Sequence, residues 1–413
     1  MIDVRAHLAQ KPLLFDGGMG TYYKAKPGTE CEQANLLDPA GVLAVHREYL
    51  AAGAEAIKTN TFGLPRMAAA QLPDWQALAR AGWKLAVEAA GETGAAVFAD
   101  LGPAPDTEAA PAGSIYTAVA RCFVEQGAKN FLFETLSSDA GVLEAVQAVK
   151  AQVPDAFVLV SFAVLPDGYT REGMYSKDLV RRMTESGIVD AVGFNCVSAP
   201  GAMRTLVQQL GGSKLPLSVM PNAGYPVVTR TQVKYQGKPE YFAKELARIA
   251  AEGVRILGGC CGTTPAHIAA LRAALDSLPA GEKVAPAVQV STPEAPTVEK
   301  DDAFLRKLNA GKKVIAIELD SPKDADLTNY LAGAKRLQAA GADLLTIADC
   351  PIARARMDSS LVACRVHREL GLCTLPHMTC RDRNLNATKA LLLGLYAEGV
   401  REVLAITGDP IPT

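Results

Sequence analysis

Eight times within residues 1–278, a short apolar run ends in a polar or glycine-rich turn and gives way to apolar residues at helical spacing. The runs end in LLFDGG (13–18), AIKTNTF (56–62), AVFADLGP (96–103), FLFETL (131–136), FVLVSF (157–162), AVGFNC (191–196), LSVMPNAG (217–224) and ILGGCC (256–261). Segments such as PAGVLAVHREYLAAG and SIYTAVARCFVEQG lie between them. Continuous apolar strands alternating with helices imply a parallel sheet buried on both faces. Eight such units predict an α/β fold whose N-terminal domain, residues 1–278, is a closed (β/α)8 TIM barrel. An open doubly wound sheet is the alternative, but no GxGxxG fingerprint follows a strand.

Residues 279–300, PAGEKVAPAVQVSTPEAPTVEK, hold four prolines and no aromatic residue, and read as a semi-extended linker. A second strand–helix series occupies residues 301–413, with runs KVIAIELD (313–320), DLLTIAD (343–349), CTLPHMTC (373–380) and EVLAITGD (402–409). Four strands make the first half of a second TIM-barrel-like domain. An open parallel edge exposes unpaired backbone and apolar surface. The expectation is therefore a piece of a longer polypeptide, or a second copy or docking partner that covers the half-barrel.

The 413 residues carry a net charge of −2, so no electrostatic footprint for nucleic acid is present. The N-terminus MIDVRAHLAQ lacks the apolar core of a signal peptide, and the longest apolar run, FVLVSFAVL (157–165), is too short to span a bilayer. These features predict a cytoplasmic protein that engages no membrane. Nine cysteines without regular spacing then suggest thiol or metal chemistry more than a disulfide framework.

In such barrels the chemistry sits at the C-terminal ends of the strands. Here those ends carry Asp16, Asn60, Asp100, Glu134, Asn195, Cys196, Asn222, Cys260 and Cys261. Cys260 and Cys261 are poorly placed to bond to each other, since neighbouring Cα atoms lie about 3.8 Å apart and disulfides prefer roughly 4.4–6.8 Å. On the barrel reading Cys196 stands two strands away, roughly 10 Å at backbone spacing, so inward-reaching side chains can meet at one ion. Three thiolates suit Zn²⁺, and three protein ligands leave an open position, the pattern of a catalytic site. His267, early on a helix capped by Thr264 with Pro265 in its first turn, would lie near the site but point along the helix. The alternative for all three cysteines is buried small residues. An open Zn(Cys)₃ site suits activation of a thiol nucleophile, and Asp16 or Glu134 could bind an ammonium while the amides of Gly17 and Gly18 bind a carboxylate.

The motifs DGGMGT (16–21), TNTF (59–62), FET (133–135), GFNC (193–196), PNAG (221–224) and GGCCGT (258–263) together resemble the homocysteine S-methyltransferase family over residues 1 to about 278. The resemblance implies Cys196, Cys260 and Cys261 as zinc ligands. It implies that Asp16, Gly17, Gly18 and Glu134 bind the amino-acid end of homocysteine, with Asn60 and Thr61 close by. The implied reaction is transfer of a methyl group from a small-molecule or protein-borne donor to homocysteine, giving methionine. A thiol-rich zinc-binding module without transferase activity is the alternative, and homo-oligomerisation is compatible with either.

Residues from about 301 onward are similar to the N-terminal half of a methylenetetrahydrofolate reductase, through IELDSPKD (317–324), PHMTC (376–380) and TGDP (407–410). That resemblance implies Glu318 as a catalytic acid and His377 and Asp409 as residues lining FAD, with FAD binding expected only if the second barrel is completed. Thr407 departs from the arginine that many relatives carry before the GD pair. The whole resembles a bifunctional methyltransferase–reductase.

Overall fold

The computed structural model describes residues 2–25, 29–224, 226–228, 233–235, 237–277, 303–380 and 383–408. The expected linker at 279–300 and Asp409 lie outside the described residues. The chain divides into two compact units, Met1–Thr292 and Pro293–Thr413.

The first unit is built on eight parallel strands: β1 (Leu13–Leu14), β2 (Ala56–Lys58), β3 (Ala96–Leu101), β4 (Asn130–Leu136), β5 (Phe157–Phe162), β6 (Ala191–Asn195), β7 (Leu217–Met220) and, after a hairpin of β8 (Pro226–Val228) and β9 (Val233–Tyr235), β10 (Ile256–Leu257). Their order is β1-β10-β7-β6-β5-β4-β3-β2, and a parallel bridge between Phe15 and Ala56 joins the two ends of the sheet. The eightfold pattern in the sequence is thus a barrel. The hairpin, antiparallel, is an addition that the run-counting did not register.

Each strand alternates its side chains between two apolar layers. Inward, Leu13, Phe15, Ala56, Ala96, Phe98, Leu132, Leu159, Ala191, Met220 and Ile256 fill the barrel, and Val4 and Leu8 of the N-terminal helix Val4–Gln10 join the same cluster. Outward, residues such as Ile57, Val97, Phe131, Val158 and Val192 pack beneath the helices. Burying each large side chain in these layers contributes about 1.5–3 kcal/mol. Helix starts follow local chemistry: Asp38 accepts the Gly41 N–H at 3.1 Å ahead of the helix Pro39–Ala51, whose proline needs no donor at its first turn.

The second unit carries a four-stranded parallel sheet of β11 (Ala316–Glu318), β12 (Leu344–Ile347), β13 (Cys373–Thr379) and β14 (Leu404–Ile406), in that order. Its core joins Leu345 and Ile347 of β12 to Val362, Ala363 and Val366 of the helix Ser359–Leu370. The inner strand β12 is largely buried, whereas the edge strands β11 and β14 are largely exposed. Among the described residues no helix is long and apolar enough to cross a membrane.

Candidate metal centre

The turn after β6 reverses through left-handed backbone at Cys196 (φ 59°) and Val197 (φ 37°), conformations that L residues adopt at a cost. That twist swings the Cys196 thiol off the alternation of the strand and toward the turn after β10. The Cys196 N–H donates to Met220 O at 3.1 Å and the Cys260 N–H to Pro221 O at 2.9 Å, so both segments hang from the end of β7. Ala223 N–H donates to Cys261 O at 2.9 Å and Thr263 Oγ1 to Cys260 O at 2.6 Å, which fixes the cysteine pair from both sides. The three sulfur atoms lie within 4.8 Å of one another, and Cys196 Sγ and Cys261 Sγ are 3.8 Å apart. Hydrogen bonds from Cys196 and Cys260 hold the Cys261 thiol well below the usual range, and the same contacts push Cys260 up. None of the nine cysteines, all among the described residues, is in a disulfide.

Tyr235, at the end of the hairpin strand β9, lies beside this cluster, where its hydroxyl helps to lower the Cys261 thiol. Gly262 makes room for it. Its φ is +77°, and a Cβ there would stand 2.2 Å from Tyr235 Cβ. Any other residue at 262 is excluded twice, by backbone and by contact.

Beside the thiols lies a buried charged group. Lys58, the last residue of β2, is 6% exposed, Asp16 2%, Asp100 3% and Glu134 6%. Lys58 Nζ donates to Gly259 O at 3.3 Å and stands 3.7 Å from Asp16 Oδ1 and 3.9 Å from Glu134 Oε2. Asp16 Oδ2 accepts the Lys58 backbone N–H at 3.0 Å, while Oδ1 accepts no hydrogen bond among the described residues. Burial pushes the Asp16 carboxyl up to about 7, with Lys58 pulling the other way. Burial raises Glu134 likewise, again against Lys58. Asp100 rises well above the carboxylate range through burial first and the Glu134 charge second. Burial opposes the charge on Lys58, but Glu134 and Asp16 outweigh it and keep the ammonium protonated.

The residues expected from the sequence sort into two sets. Cys196, Cys260, Cys261, Asp16 and Glu134 are brought to the C-terminal ends of their strands around one site. Asn60 and Thr61 lie at the same end but spend their polar atoms inward. Asn60 Nδ2 donates to Cys31 O and Asn35 Oδ1, both at 2.9 Å, and Thr61 Oγ1 donates to Asp100 O at 2.8 Å. The Gly18 N–H donates to Thr263 Oγ1 at 3.0 Å, and a Cβ at Gly17 would stand 2.6 Å from that same oxygen. His267 closes a capping box with Thr264: Thr264 N–H donates to Nδ1 at 3.2 Å and Nε2 contacts Gly237 O at 3.3 Å, so both ring nitrogens are occupied away from the thiols. Lys58, Tyr235 and the side chain of Asn195 were not assigned roles from the sequence. A lysine inside an apolar strand run was the one signal that pointed to the first.

In the second unit, Glu318 Oε2 at the end of β11 and His377 Nε2 within β13 are 3.9 Å apart. Glu318 is largely exposed and His377 half-buried. Ser359 Oγ donates to His377 O at 2.7 Å.

Fold and site together define a (β/α)8 barrel protein with a three-thiol centre at the C-terminal strand ends. Residues 13–275 match the homocysteine S-methyltransferase family model, and the chain belongs to that family. Residues 303–413 match the methylenetetrahydrofolate reductase family model. Methionine synthase of Mycobacterium tuberculosis is 32% identical over 312 residues, covering 68% of this chain and 26% of the relative. Methionine synthase of Mycobacterium leprae is 30% identical over 316 residues, covering 68% and 26%. The chain therefore spans about a quarter of the length of these curated relatives. The crystal structure of the homocysteine methyltransferase MmuM from Escherichia coli in its metallated form superimposes with a TM-score of 0.54 at 25% identity, covering 65% of this chain and 99% of that one. The oxidised form of the same protein gives 0.54, 25%, 65% and 98%.

Proposed function

We propose that the barrel transfers a methyl group to the thiol of L-homocysteine, forming methionine, with zinc held by Cys196, Cys260 and Cys261. The observation that carries this is the convergence of three thiols from two separated strand ends beside a buried acid pair. The donor set fits the metal. Tetrahedral zinc with Zn–S bonds of ~2.3 Å places its sulfurs ~3.8 Å apart, and Cys196 Sγ and Cys261 Sγ are 3.8 Å apart. A metallated form of MmuM supports the same reading.

When bound, Zn²⁺ supplies the Lewis acidity that keeps an incoming thiol ionised, worth about 30-fold, or roughly 2 kcal/mol, over a free thiol at neutral pH. The chain's own residues do the rest. Glu134 and Asp16 accept N–H bonds from the substrate ammonium, and the Lys58 charge beside them works against the burial that raises both acids. Backbone N–H at Gly17 takes up the substrate carboxylate. These contacts hold the thiol in line with the donor's methyl carbon, so that the S–C bond forms as the donor keeps its bonding pair. The walls are buried, which excludes competing water.

The test is a parallel screen of zinc-loaded protein with homocysteine against S-methylmethionine, methylcobalamin and methyltetrahydrofolate. Methionine formed from at least one donor and lost on chelation supports the assignment; zinc bound with no methionine from any donor favours the thiol-rich module instead. In residues 303–413 the facing pair Glu318 and His377 supports a reductase-like site, with His377 on the side that would line FAD. A second copy or partner covering the exposed edge strands β11 and β14 belongs to the same reading, tested by molecular mass with and without residues 301–413. Nine cysteines without a disulfide fit a reducing compartment such as the cytoplasm.

A further inference from the structure

Asn195, the last residue of β6, is fully buried and touches both halves of the site. Its Oδ1 accepts from Ser161 Oγ at 2.9 Å and from the Thr135 N–H at 2.9 Å. Two donors on that oxygen fix the amide, because a flip would turn its NH₂ toward them. The NH₂ has two hydrogens and three acceptors: Thr135 Oγ1 at 2.8 Å, Glu134 Oε2 at 3.2 Å and Cys260 Sγ at 3.9 Å. Thr135 takes one hydrogen. The second is contested between an acid of the amino-acid pocket and a thiol of the metal centre, at an amide with no exposed surface.

We propose that Asn195 couples the two ends of the substrate site by passing this N–H from Glu134 to Cys260 when an ammonium occupies Glu134. The inference rests on the assignment of Glu134 to the substrate ammonium made above. An ammonium competes for that carboxylate oxygen better than a neutral amide does, because both of its partners then carry charge. The released N–H then has only Cys260 Sγ to turn to, and a donor there draws charge from the sulfur. The linkage is reciprocal: a Cys260 thiolate bound to metal attracts the N–H and leaves Glu134 more open to the ammonium. Asn195 is thus a positioning residue, and the amino-acid end of the substrate reports its arrival to the sulfur end.

The experiment uses the full chain loaded with Co²⁺ and titrated with L-norvaline, which has the amino-acid group but no thiol. In the wild type the sulfur-to-cobalt absorption band moves to higher energy on binding, and norvaline binds about 3–10-fold more tightly to cobalt-loaded than to metal-free protein, the scale of one ordinary net hydrogen bond. Thr135→Val removes the third acceptor, so both N–H bonds are made at once. Its band starts at the shifted position, and the metal dependence of norvaline affinity disappears. Asn195→Asp, which keeps the oxygen but lacks the donors, also loses the coupling, with its band starting on the low-energy side. Norvaline that binds the wild type without moving the band overturns the proposal, as does a Thr135→Val protein that keeps the full shift. If neither norvaline nor homocysteine binds the wild type, the assignment of the amino-acid pocket falls, and this inference with it.

Discussion

Lys58 has almost no water to solvate it and stays charged chiefly through Glu134 and Asp16. Lys58→Met leaves a buried acid cluster without its cation and is expected to cost about 3–5 kcal/mol, read by urea denaturation. Cys261→Ser is expected to abolish metal binding and methionine formation together while the far-ultraviolet circular dichroism is unchanged, because the cores do not rest on the metal; metal content surviving that change would sink the ligand set. Glu134→Gln should weaken homocysteine binding at least tenfold with metal stoichiometry intact, as measured by calorimetry. At this scale the cysteines, Asp16 and Glu134 were legible because strand ends of a barrel converge. Lys58 was not, because its meaning depends on which strands flank β2. Asn60 and Thr61 carried the right residue types at the right end, but their hydrogen bonds to Cys31, Asn35 and Asp100 depend on loop paths that no local pattern encodes.

Among the elements, the eight barrel strands followed from apolar runs between helical segments, yet β1 and β10 are only two residues each. Their continuations, Asp16–Gly18 and Gly258–Cys261, leave the ladder to build the site. The hairpin of β8 and β9 was not read, because its run PVVTRTQVKY mixes charged and apolar residues and follows a strand that already had its turn. Position 193 shows how tightly an element and the site are joined. A Cβ on Gly193 in β6 would stand 2.3 Å from Ser218 O, a backbone atom of the neighbouring strand β7 that cannot move aside. Gly193→Ala is therefore expected to separate β6 from β7, lower the melting temperature by several degrees and weaken metal binding, since Cys196 hangs from Met220 on β7. A variant with unaltered melting and metal affinity would contradict this packing.

On the scale of the whole molecule, each unit has apolar clusters of its own among the described residues. Barrel stability should respond to pH through His46, fully buried on the helix Pro39–Ala51, with neither ring nitrogen hydrogen-bonded among the described residues. Burial lowers its pKa from 6.5 to about 4. Below 6.5 the unfolded chain takes up a proton that the native state refuses, so this contribution is whole above 6.5 and lost as pH falls toward 4, by about 3 kcal/mol. His46→Leu should remove that loss, so its advantage over the wild type widens on acidification; a constant difference from pH 7 to 4 would refute it. The barrel's charged pocket behaves differently from its surface. Arg47 and Glu92 pair in open water, where dissolved salt screens them within a Debye length of about 8 Å. Lys58, Asp16 and Glu134 lie beneath the strand ends, where mobile ions do not penetrate, so capture of an amino acid there should hold nearly constant while ionic strength rises and the outer pairs fade.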